Sequence, residues 1–248
     1  MEAEFLEGRH ALVEALNAKV PISKIYVSDA ARRDKRVDQT LRRAMKLGVD
    51  IVKSSREQLD AHSSHGAHQG IIARVKPFAY CGLDALVKAA EGKRDALVVA
   101  CDHITDAGNF GALCRTAEVV GACGVLIPNK RQAGVTCATY KTSAGAVAYL
   151  PIAPEANLAR SLERLKREGF WVVGASEHAD TIAWDASLSG RIVLVVGSES
   201  DGLSDLVART CDVLVKLPQA GRVESLNVAQ ATTALAYEWV RQCREESR

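Results

Sequence analysis

The alternation of apolar and polar positions divides the chain into two α/β parts. In the first part, apolar positions at helical spacing predict helices over 8–17 and 35–46, and short apolar runs predict strands over 24–27, 49–52 and 70–75. Pro77 is expected to end the last strand, because proline has no backbone N–H to donate. This part is therefore expected to form a small α/β domain over residues 1–77.

A second series of alternating predicted strands and helices follows a segment that contains Gly82, Gly92 and a charged run. We predict a linker over 78–94, with a short helix over 83–90, and a larger domain over 95–248. Its predicted strands cover 96–101, 123–127, 170–174, 192–196 and 213–217, and its predicted helices cover 110–120, 158–168 and 226–244. Continuous apolar strands that are each followed by a helix are typical of a mostly parallel sheet covered on both faces. The predicted fold class is therefore α/β throughout.

Composition narrows the class of protein further. Of the 248 residues, 48% are hydrophobic and 25% are charged, as is usual for a globular protein. No apolar run reaches the roughly 18 to 20 residues of a membrane span, and the first five residues lack the basic and apolar regions of a signal peptide. We expect a cytoplasmic protein with no membrane partner.

The cysteine and histidine residues do not suggest a metal site. The seven cysteines include no Cys-x-x-Cys pair, and most stand in or beside apolar runs, where a reduced thiol packs as a small hydrophobe. His62, His65 and His68 fall in a Ser/Gly-rich turn with no cysteine nearby. We expect reduced, structural cysteines and no bound metal.

Positive charge is concentrated in the first part of the chain. The net charge is only +2, yet residues 1–77 hold 14 Lys and Arg against 10 Asp and Glu. Seven of these cations fall within fifteen residues: Arg32, Arg33, Lys35, Arg36, Arg42, Arg43 and Lys46. Such a cluster forms either a solvated helix face or a surface that contacts nucleic-acid phosphates, and the residues alone do not decide between them.

Three polar segments follow predicted strands, at the end of a parallel sheet where ligands usually bind. In the first, Asn109 could cap a helix, and Arg115 stands among core-like neighbours, which suggests an anionic partner. The second, 195–204, has neither the phosphate-binding Gly-Lys-Ser/Thr nor the dinucleotide fingerprint. Its acidic residues suit a ligand that is cationic or donates hydrogen bonds.

The third segment runs from Leu217 to a long final helix. Ser225 is expected to be the N-cap of that helix, which leaves Asn227 inside the first turn, where asparagine is a mediocre helix former.

Taken together, the three segments resemble the SpoU family of RNA 2′-O-methyltransferases, in the trefoil-knotted SPOUT class. The resemblance is carried by Asn109-x-Gly111-x-x-x-Arg115-Thr116-Ala117, Gly197-Ser198-Glu199-x-x-Gly202-Leu203-Ser204, and Leu217-Pro218 followed by Ser225-Leu226-Asn227-Val228-Ala229. Three departures are Ala107, Ser200 and Gln219, where the family commonly has proline, glycine and methionine.

The resemblance implies a C-terminal trefoil knot and S-adenosylmethionine as cofactor. It implies that the cofactor is held by Gly197, Ser198, Leu217, Pro218, Gln219 and Leu226. It further implies that Arg115 is the catalytic residue, assisted by Asn109, Glu199, Ser225 and Asn227.

Two N-terminal motifs extend the resemblance over nearly the whole chain. Gly8-Arg9-His10-Ala11-Leu12 and His68-Gln69-Gly70-Ile71-Ile72-Ala73 look like the small, ribosomal-protein-like RNA-binding domain of family members that act on ribosomal RNA. The implied RNA-binding residues are Arg9, His10, Arg32, Arg33, Arg36, His68 and Gln69.

The expected activity is 2′-O-methylation of one nucleotide of 23S ribosomal RNA, with guanosine as the expected base, by a homodimer that forms through the knotted domain. A transfer-RNA methyltransferase of the same family is one alternative. A ribosome-associated RNA-binding protein without catalysis is an alternative of another class.

Overall fold

The computed structural model describes residues 5–63, 66, 68–222 and 225–246, so His65 lies outside the described residues. Within them, the first part of the chain forms a four-stranded sheet in the order β1-β4-β2-β3, with β4 antiparallel to both neighbours and β2 parallel to β3. Its elements are β1 (Phe5–Glu7), α1 (Arg9–Asn17), β2 (Ile22–Val27), α2 (Asp29–Arg32), α3 (Lys35–Lys46), β3 (Asp50–Lys53), α4 (Arg56–Asp60) and β4 (Ile71–Val75).

Helix α3 shows how the local sequence produces these elements. The Asp34 carboxylate caps its N-terminus by accepting hydrogen bonds from the backbone N–H groups of Arg36 (2.8 Å) and Val37 (3.3 Å). Val37, Leu41 and Ala44 of the helix are buried in the core. The Arg43 guanidinium donates to the Asn17 side chain (2.6 Å) and so joins α3 to α1. The predicted bounds of this helix are confirmed.

The second part forms a seven-stranded sheet among the described residues, in which every pair of neighbouring strands is parallel. The strand order is β7-β6-β5-β10-β8-β11-β9. Its elements are α5 (Leu83–Ala89), β5 (Ala96–Asp102), α6 (Ala107–Val119), β6 (Gly124–Pro128), α7 (Cys137–Thr142), β7 (Ile152–Glu155), α8 (Leu158–Arg167), β8 (Trp171–Ala175), β9 (Thr181–Ile182), β10 (Arg191–Gly197), α9 (Asp205–Thr210), β11 (Val213–Lys216) and α10 (Val228–Glu245).

Both faces of this sheet are covered, as the apolar strands predict. Helices α6 and α10 pack on one face, against Leu97, Val99 and Leu194. Helices α5, α8 and α9 pack on the other, against Val98, Val193 and Val195. Successive residues of a strand point to opposite faces, so a strand that is buried on both sides has to be apolar throughout.

The strand order sets the place of a ligand site. The chain moves outward from β5 to β6 and β7 on one side and later builds β8, β11 and β9 on the other, with β10 inserted between β5 and β8. Ligands of open α/β sheets bind at the carboxyl ends of strands where the order reverses in this way. Here that place is the end of β5, β10 and β8.

The two parts of the chain are in direct contact through α1 and α7. Lys141 on α7 forms a 2.8 Å ion pair with Glu14 on α1, and this partner lowers the pKa of the Glu14 carboxyl. The Lys19 ammonium contacts the hydroxyl and the ring face of Tyr149. One hydrophobic cluster continues from Leu12 on α1 to Tyr140 on α7.

The structure also bears on the cysteines, on metal binding and on membrane spans. No disulfide joins any two of the seven cysteines, and burial raises the pKa of the Cys101 and Cys114 thiols. Among the described residues there is no cluster of three or more side chains suited to hold a metal ion. None of the helices in the described part of the chain has the length and apolar character needed to span a membrane.

Candidate active site

A cavity of about 460 Å³ opens at the carboxyl ends of β8, β10 and β11. Its walls are formed by the segments that follow these strands and by the start of α10, with residues 175–178, 196–203, 215–217, 219 and 225–228 among them. Of the predicted cofactor-binding residues, five line it: Gly197, Ser198, Leu217, Gln219 and Leu226. Pro218 lies between two lining residues and is exposed.

The loop after β10 is closed by its own backbone. Ser198 and Gly202 exchange two backbone hydrogen bonds (2.9 and 3.1 Å), and the Ser198 hydroxyl accepts from the Asp201 N–H (3.0 Å). A Cβ on Gly197 would overlap the carbonyl group of Gly202 and the nitrogen of Leu203. The tight closure of this wall of the cavity therefore requires glycine at position 197.

Asp102 anchors the far end of the same loop and was not predicted as a site residue. It ends β5, is 1% exposed, and accepts hydrogen bonds from the Ser204 backbone N–H (2.7 Å) and from His103 Nδ1 (2.6 Å). His103 adopts a left-handed φ of 66°, which is uncommon for a residue other than glycine. A carboxylate that ends an apolar strand was the available signal in the sequence.

A chain of side-chain hydrogen bonds joins the three segments. Asn109 Nδ2 donates to Glu199 Oε1 (2.7 Å), and Asn227 Nδ2 donates to Asn109 Oδ1 (2.8 Å). Asn227 Oδ1 in turn accepts from the backbone N–H groups of Ala229 (2.9 Å) and Gln230 (3.4 Å) at the start of α10. Residues 90 and 118 positions apart in the chain are thus held in one arrangement beside the cavity.

Two predicted helix caps were wrong. Asp106 is the N-cap of α6, and its carboxylate accepts from the Asn109 N–H at 2.7 Å, so α6 begins three residues before the predicted start and Asn109 lies in its first turn. Asn227, not Ser225, is the N-cap of α10. Ser225 precedes the cap and lines the cavity.

Arg115 lies on α6, one and a half turns beyond Asn109, and its side chain is exposed. Within the described part of the chain it forms no hydrogen bond or ion pair. Its helix is fixed by a 2.7 Å hydrogen bond between Thr116 and Thr233 on α10. On another side, Thr142 of α7 packs so closely on Gly111 that a Cβ there would collide with it. A helix that is fixed on two sides therefore presents an unpaired guanidinium to solvent.

Comparison with known proteins follows the same division of the chain. The profile described as the SpoU rRNA Methylase family matches residues 96–237. A second profile, described as RNA 2′-O ribose methyltransferase substrate binding, matches residues 5–81.

The chain belongs to the SpoU family of methyltransferases.

Relatives at the level of sequence and structure agree with this assignment. A Mycolicibacterium paratuberculosis protein described as an uncharacterized tRNA/rRNA methyltransferase is 40% identical over 98% of this chain and 79% of its own length. The SpoU methyltransferase AviRb from Streptomyces viridochromogenes, solved in complex with AdoMet, is 25% identical with a TM-score of 0.75, over 99% of this chain and 92% of that one. The A. aeolicus TrmH/SpoU tRNA modifying enzyme is 27% identical with a TM-score of 0.57, over 66% of this chain and 84% of that one.

This SpoU protein is accordingly an RNA methyltransferase that uses S-adenosylmethionine. The predicted family, fold class, enzyme class and cofactor are confirmed. The agreement favours the enzyme over the non-catalytic alternative.

The lining of the cavity suits this cofactor. Three carboxylates line it, those of Glu177, Glu199 and Asp201, together with the cationic Lys216 and the imidazole of His178. A sulfonium carries positive charge, so carboxylates nearby are favourable to it. The volume also lies in the range of about 300 to 1,000 Å³ that is usual for sites that bind small molecules.

The substrate-binding domain of this SpoU protein presents only part of the predicted RNA surface freely. Arg32, Arg33 and Arg36 are exposed, and none has an ion-pair partner among the described residues. Arg9 instead forms a 2.6 Å ion pair with Asp34. His10 and Gln69 are exposed, and Gln69 has a left-handed φ of 50°.

His68 is built into the fold of that domain. Its side chain is largely buried, its Nδ1 accepts from the Gly70 N–H (2.9 Å), and its Nε2 donates to Asp60 (2.9 Å). Both ring nitrogens are therefore used inside the protein, which favours a structural role for His68 over direct contact with RNA.

Proposed function

We propose that this enzyme methylates the ribose 2′-hydroxyl of one nucleotide of 23S ribosomal RNA, with guanosine as the base. The observation that carries the proposal is the hydrogen-bond chain Glu199–Asn109–Asn227, which joins the wall of the cofactor cavity to the helix that holds Arg115. A ligand in the cavity and an anion at Arg115 would therefore be held by parts of the protein that these side chains join.

In this proposal the loops after β10 and β11 hold the cofactor. Gly197, Ser198, Leu217, Pro218, Gln219 and Leu226 supply backbone groups and apolar contacts. When bound, S-adenosylmethionine supplies a methyl group that is already activated by a positive sulfur, so the protein mainly has to align the reacting atoms. The loop after β10, which is closed by the backbone hydrogen bonds between Ser198 and Gly202, would hold the cofactor in a fixed orientation.

On the substrate side, Arg115 orients the nucleotide by binding an adjacent phosphate. Guanidinium holds its proton too tightly to act as a general base at neutral pH, whereas its planar donors match a phosphate well. Asn109, Ser225 and Asn227 position the ribose, and Glu199 holds Asn109 in place. Water takes the hydroxyl proton in this scheme, since Asn109 and Arg115 are both accessible to solvent.

The substrate-binding domain supports ribosomal RNA over transfer RNA as the substrate. Its profile covers residues 5–81 of this chain, whereas the tRNA modifying enzyme of A. aeolicus matches only 66% of the chain. A tRNA substrate remains the alternative outcome of the experiment below.

Methyl incorporation from labelled S-adenosylmethionine into deproteinised ribosomal RNA and bulk transfer RNA tests the proposal. We expect labelling of large-subunit RNA at a single 2′-hydroxyl, found by mapping the modified nucleotide. Labelling of transfer RNA alone would support the proposed reaction but contradict ribosomal RNA as the substrate. Labelling at a base atom would overturn the proposed acceptor.

The exposed arginines of the first domain give a second test. Replacing Arg32, Arg33 and Arg36 together with alanine should weaken RNA binding and lower the salt dependence of the affinity, because each lost phosphate contact removes about 0.7 from the slope for single-stranded RNA. Titrations of RNA binding at several salt concentrations measure this. An unchanged slope would show that the cluster is only a solvated helix face.

We further propose a homodimer that forms along the α6–α10 face. Val119 on α6 and Tyr237 on α10 are 60% and 51% exposed, and the Thr116–Thr233 hydrogen bond joins these two helices. Exposed apolar side chains on two adjoining helices support an interface between subunits. Analytical ultracentrifugation should give twice the 26.6 kDa mass of one chain, and Tyr237→Asp should shift the protein towards the monomer. A wild-type protein that sediments as a monomer at micromolar concentration would contradict this proposal.

Two further predictions belong to this proposal. Residues 198–203 and residues 217, 219 and 225–227 line one cavity, although β11 lies beyond β8 and α10 returns to pack on α6. Such a path supports the trefoil knot, in which the chain end passes through its own loop.

A cytoplasmic location follows from the proposed ribosomal RNA substrate.

A further inference from the structure

The segment between β6 and β7 carries positive charge only. From 129 to 151 it contains Lys130, Arg131 and Lys141 and no Asp or Glu, and the first acidic residue after it is Glu155 at the end of β7. Lys141 is paired with Glu14 of the first domain. Lys130 and Arg131 are exposed, and neither has a hydrogen-bond or ion-pair partner within the described residues.

The loop that carries these two cations is held firmly beside the active site. The Ala133 N–H donates to the Ile104 carbonyl (2.7 Å), and the Ile104 N–H donates to Gln132 Oε1 (2.9 Å). Ile104 stands two residues before the N-cap of α6, so the loop flanks the start of the helix that bears Asn109 and Arg115. At its far end, the Val135 N–H donates to the Tyr80 hydroxyl (2.8 Å).

The backbone of the loop keeps the two side chains in solvent. Arg131 has a left-handed φ of 52°, a conformation that a residue other than glycine seldom adopts. Hydrogen bonds on either side hold this turn in place.

Acidic and basic side chains lie in different regions along the carboxyl edge of the sheet. The loops that follow β8 and β10 carry Glu177, Glu199 and Asp201 and form the cofactor cavity. The loop that follows β6, on the other side of β5, carries Lys130 and Arg131. A cationic cofactor suits the first region and a polyanion suits the second. The start of α6, with Asn109, lies between them.

We propose that Lys130 and Arg131 bind backbone phosphates of the RNA next to the target nucleotide, as a second RNA contact that belongs to the methyltransferase domain itself. The inference rests on the proposed function, because it takes the target ribose to lie at Asn109 and Arg115. It differs from the contact by the first domain, since these cations lie on the sheet that carries the active site. Phosphates are the ligand because unpaired Lys and Arg side chains supply affinity for nucleic acid that does not depend on sequence.

The double variant Lys130→Ala with Arg131→Gly tests the inference in the full-length enzyme. Glycine is chosen at 131 because it adopts the left-handed backbone without strain. Titration with deproteinised ribosomal RNA should show about a tenfold weaker affinity at 0.15 M salt and a salt slope lower by about 1.4, as expected for two lost contacts to a single strand. Affinity for S-adenosylmethionine should not change.

The control removes two other exposed cations. Lys88→Ala with Arg167→Ala changes the net charge equally, but these residues lie late in α5 and α8, at the opposite edge of the sheet. RNA affinity of this control should stay within about twofold of the wild type. Equal losses in the two double variants would overturn the inference, as would an unchanged salt slope in the first. A loss of cofactor affinity in the first variant would also overturn it, because the loop would then be structural.

The experiments distinguish failure of the proposed function from failure of the role of Lys130 and Arg131. If the wild-type enzyme binds cofactor but labels neither ribosomal nor transfer RNA, the proposed function fails. If the wild type labels RNA while the first variant binds that RNA as tightly as the control does, only the role of Lys130 and Arg131 fails.

Discussion

Replacing Arg115 with alanine is expected to lower the rate of methyl transfer by about 10²-fold or more, because the nucleotide is then no longer held in the orientation for reaction. The affinity for S-adenosylmethionine should change by less than about twofold, because Arg115 does not line the cofactor cavity. Single-turnover methylation with labelled cofactor, together with calorimetric titration of the cofactor, measures the two quantities separately.

Two variants control this experiment. Arg115→Lys keeps the charge but loses the planar pair of donors, so we expect an intermediate rate. Arg160→Ala removes an equally exposed arginine from α8, on the other face of the sheet, and should leave the rate unchanged. Normal turnover by Arg115→Ala would refute the role proposed for this residue.

Gly197→Ala is expected to weaken the binding of S-adenosylmethionine by about tenfold to 100-fold. The added methyl group would overlap the backbone of Gly202 and Leu203, so the whole loop would have to move. Overpacking of this kind commonly costs about 1–3 kcal/mol, and every 1.4 kcal/mol is tenfold in affinity. The affinity should be measured by calorimetry at a temperature where thermal unfolding shows the variant to be folded.

A glycine in the segment between β11 and α10, outside the lining of the cavity, provides the control. A Cβ on Gly221 would meet no atom within 4 Å, so Gly221→Ala should bind the cofactor about as tightly as the wild type. If Gly197→Ala also keeps wild-type affinity, the closed loop after β10 does not shape the cofactor site.

The sequence predicted the interior of both sheets better than their edges. Every predicted strand is present with ends within two residues of those expected, because central strands are continuous apolar runs. The strands that were missed, β1, β7 and β9, all stand at the edge of a sheet. An edge strand has one neighbour and needs less apolar surface, and it tolerates proline, as Pro154 in β7 shows.

The site was predicted in its parts but not in its connections. The motifs identified Asn109, Glu199 and Asn227, yet their hydrogen bonds depend on the strand order, which the spacing of residues along a chain does not reveal. The predicted N-cap of α10, Ser225, lies two residues before the observed one, Asn227. Serine and asparagine are both good N-caps, and only the path of the backbone distinguishes them. Asp102 was missed although it directly follows an apolar strand, because its partners, the Ser204 backbone and His103, become apparent only in the fold.

The contact between α1 and α7 has a consequence for how an RNA is selected. Helix α1 contacts α7, and Thr142 of α7 packs against Gly111 of α6, so the first domain and α6 are held next to each other. If RNA binds the first domain while its target nucleotide lies at α6, as proposed, the distance between the two elements of that RNA has to match this spacing. We therefore expect an RNA with the same target nucleotide at a different spacing to be methylated more slowly.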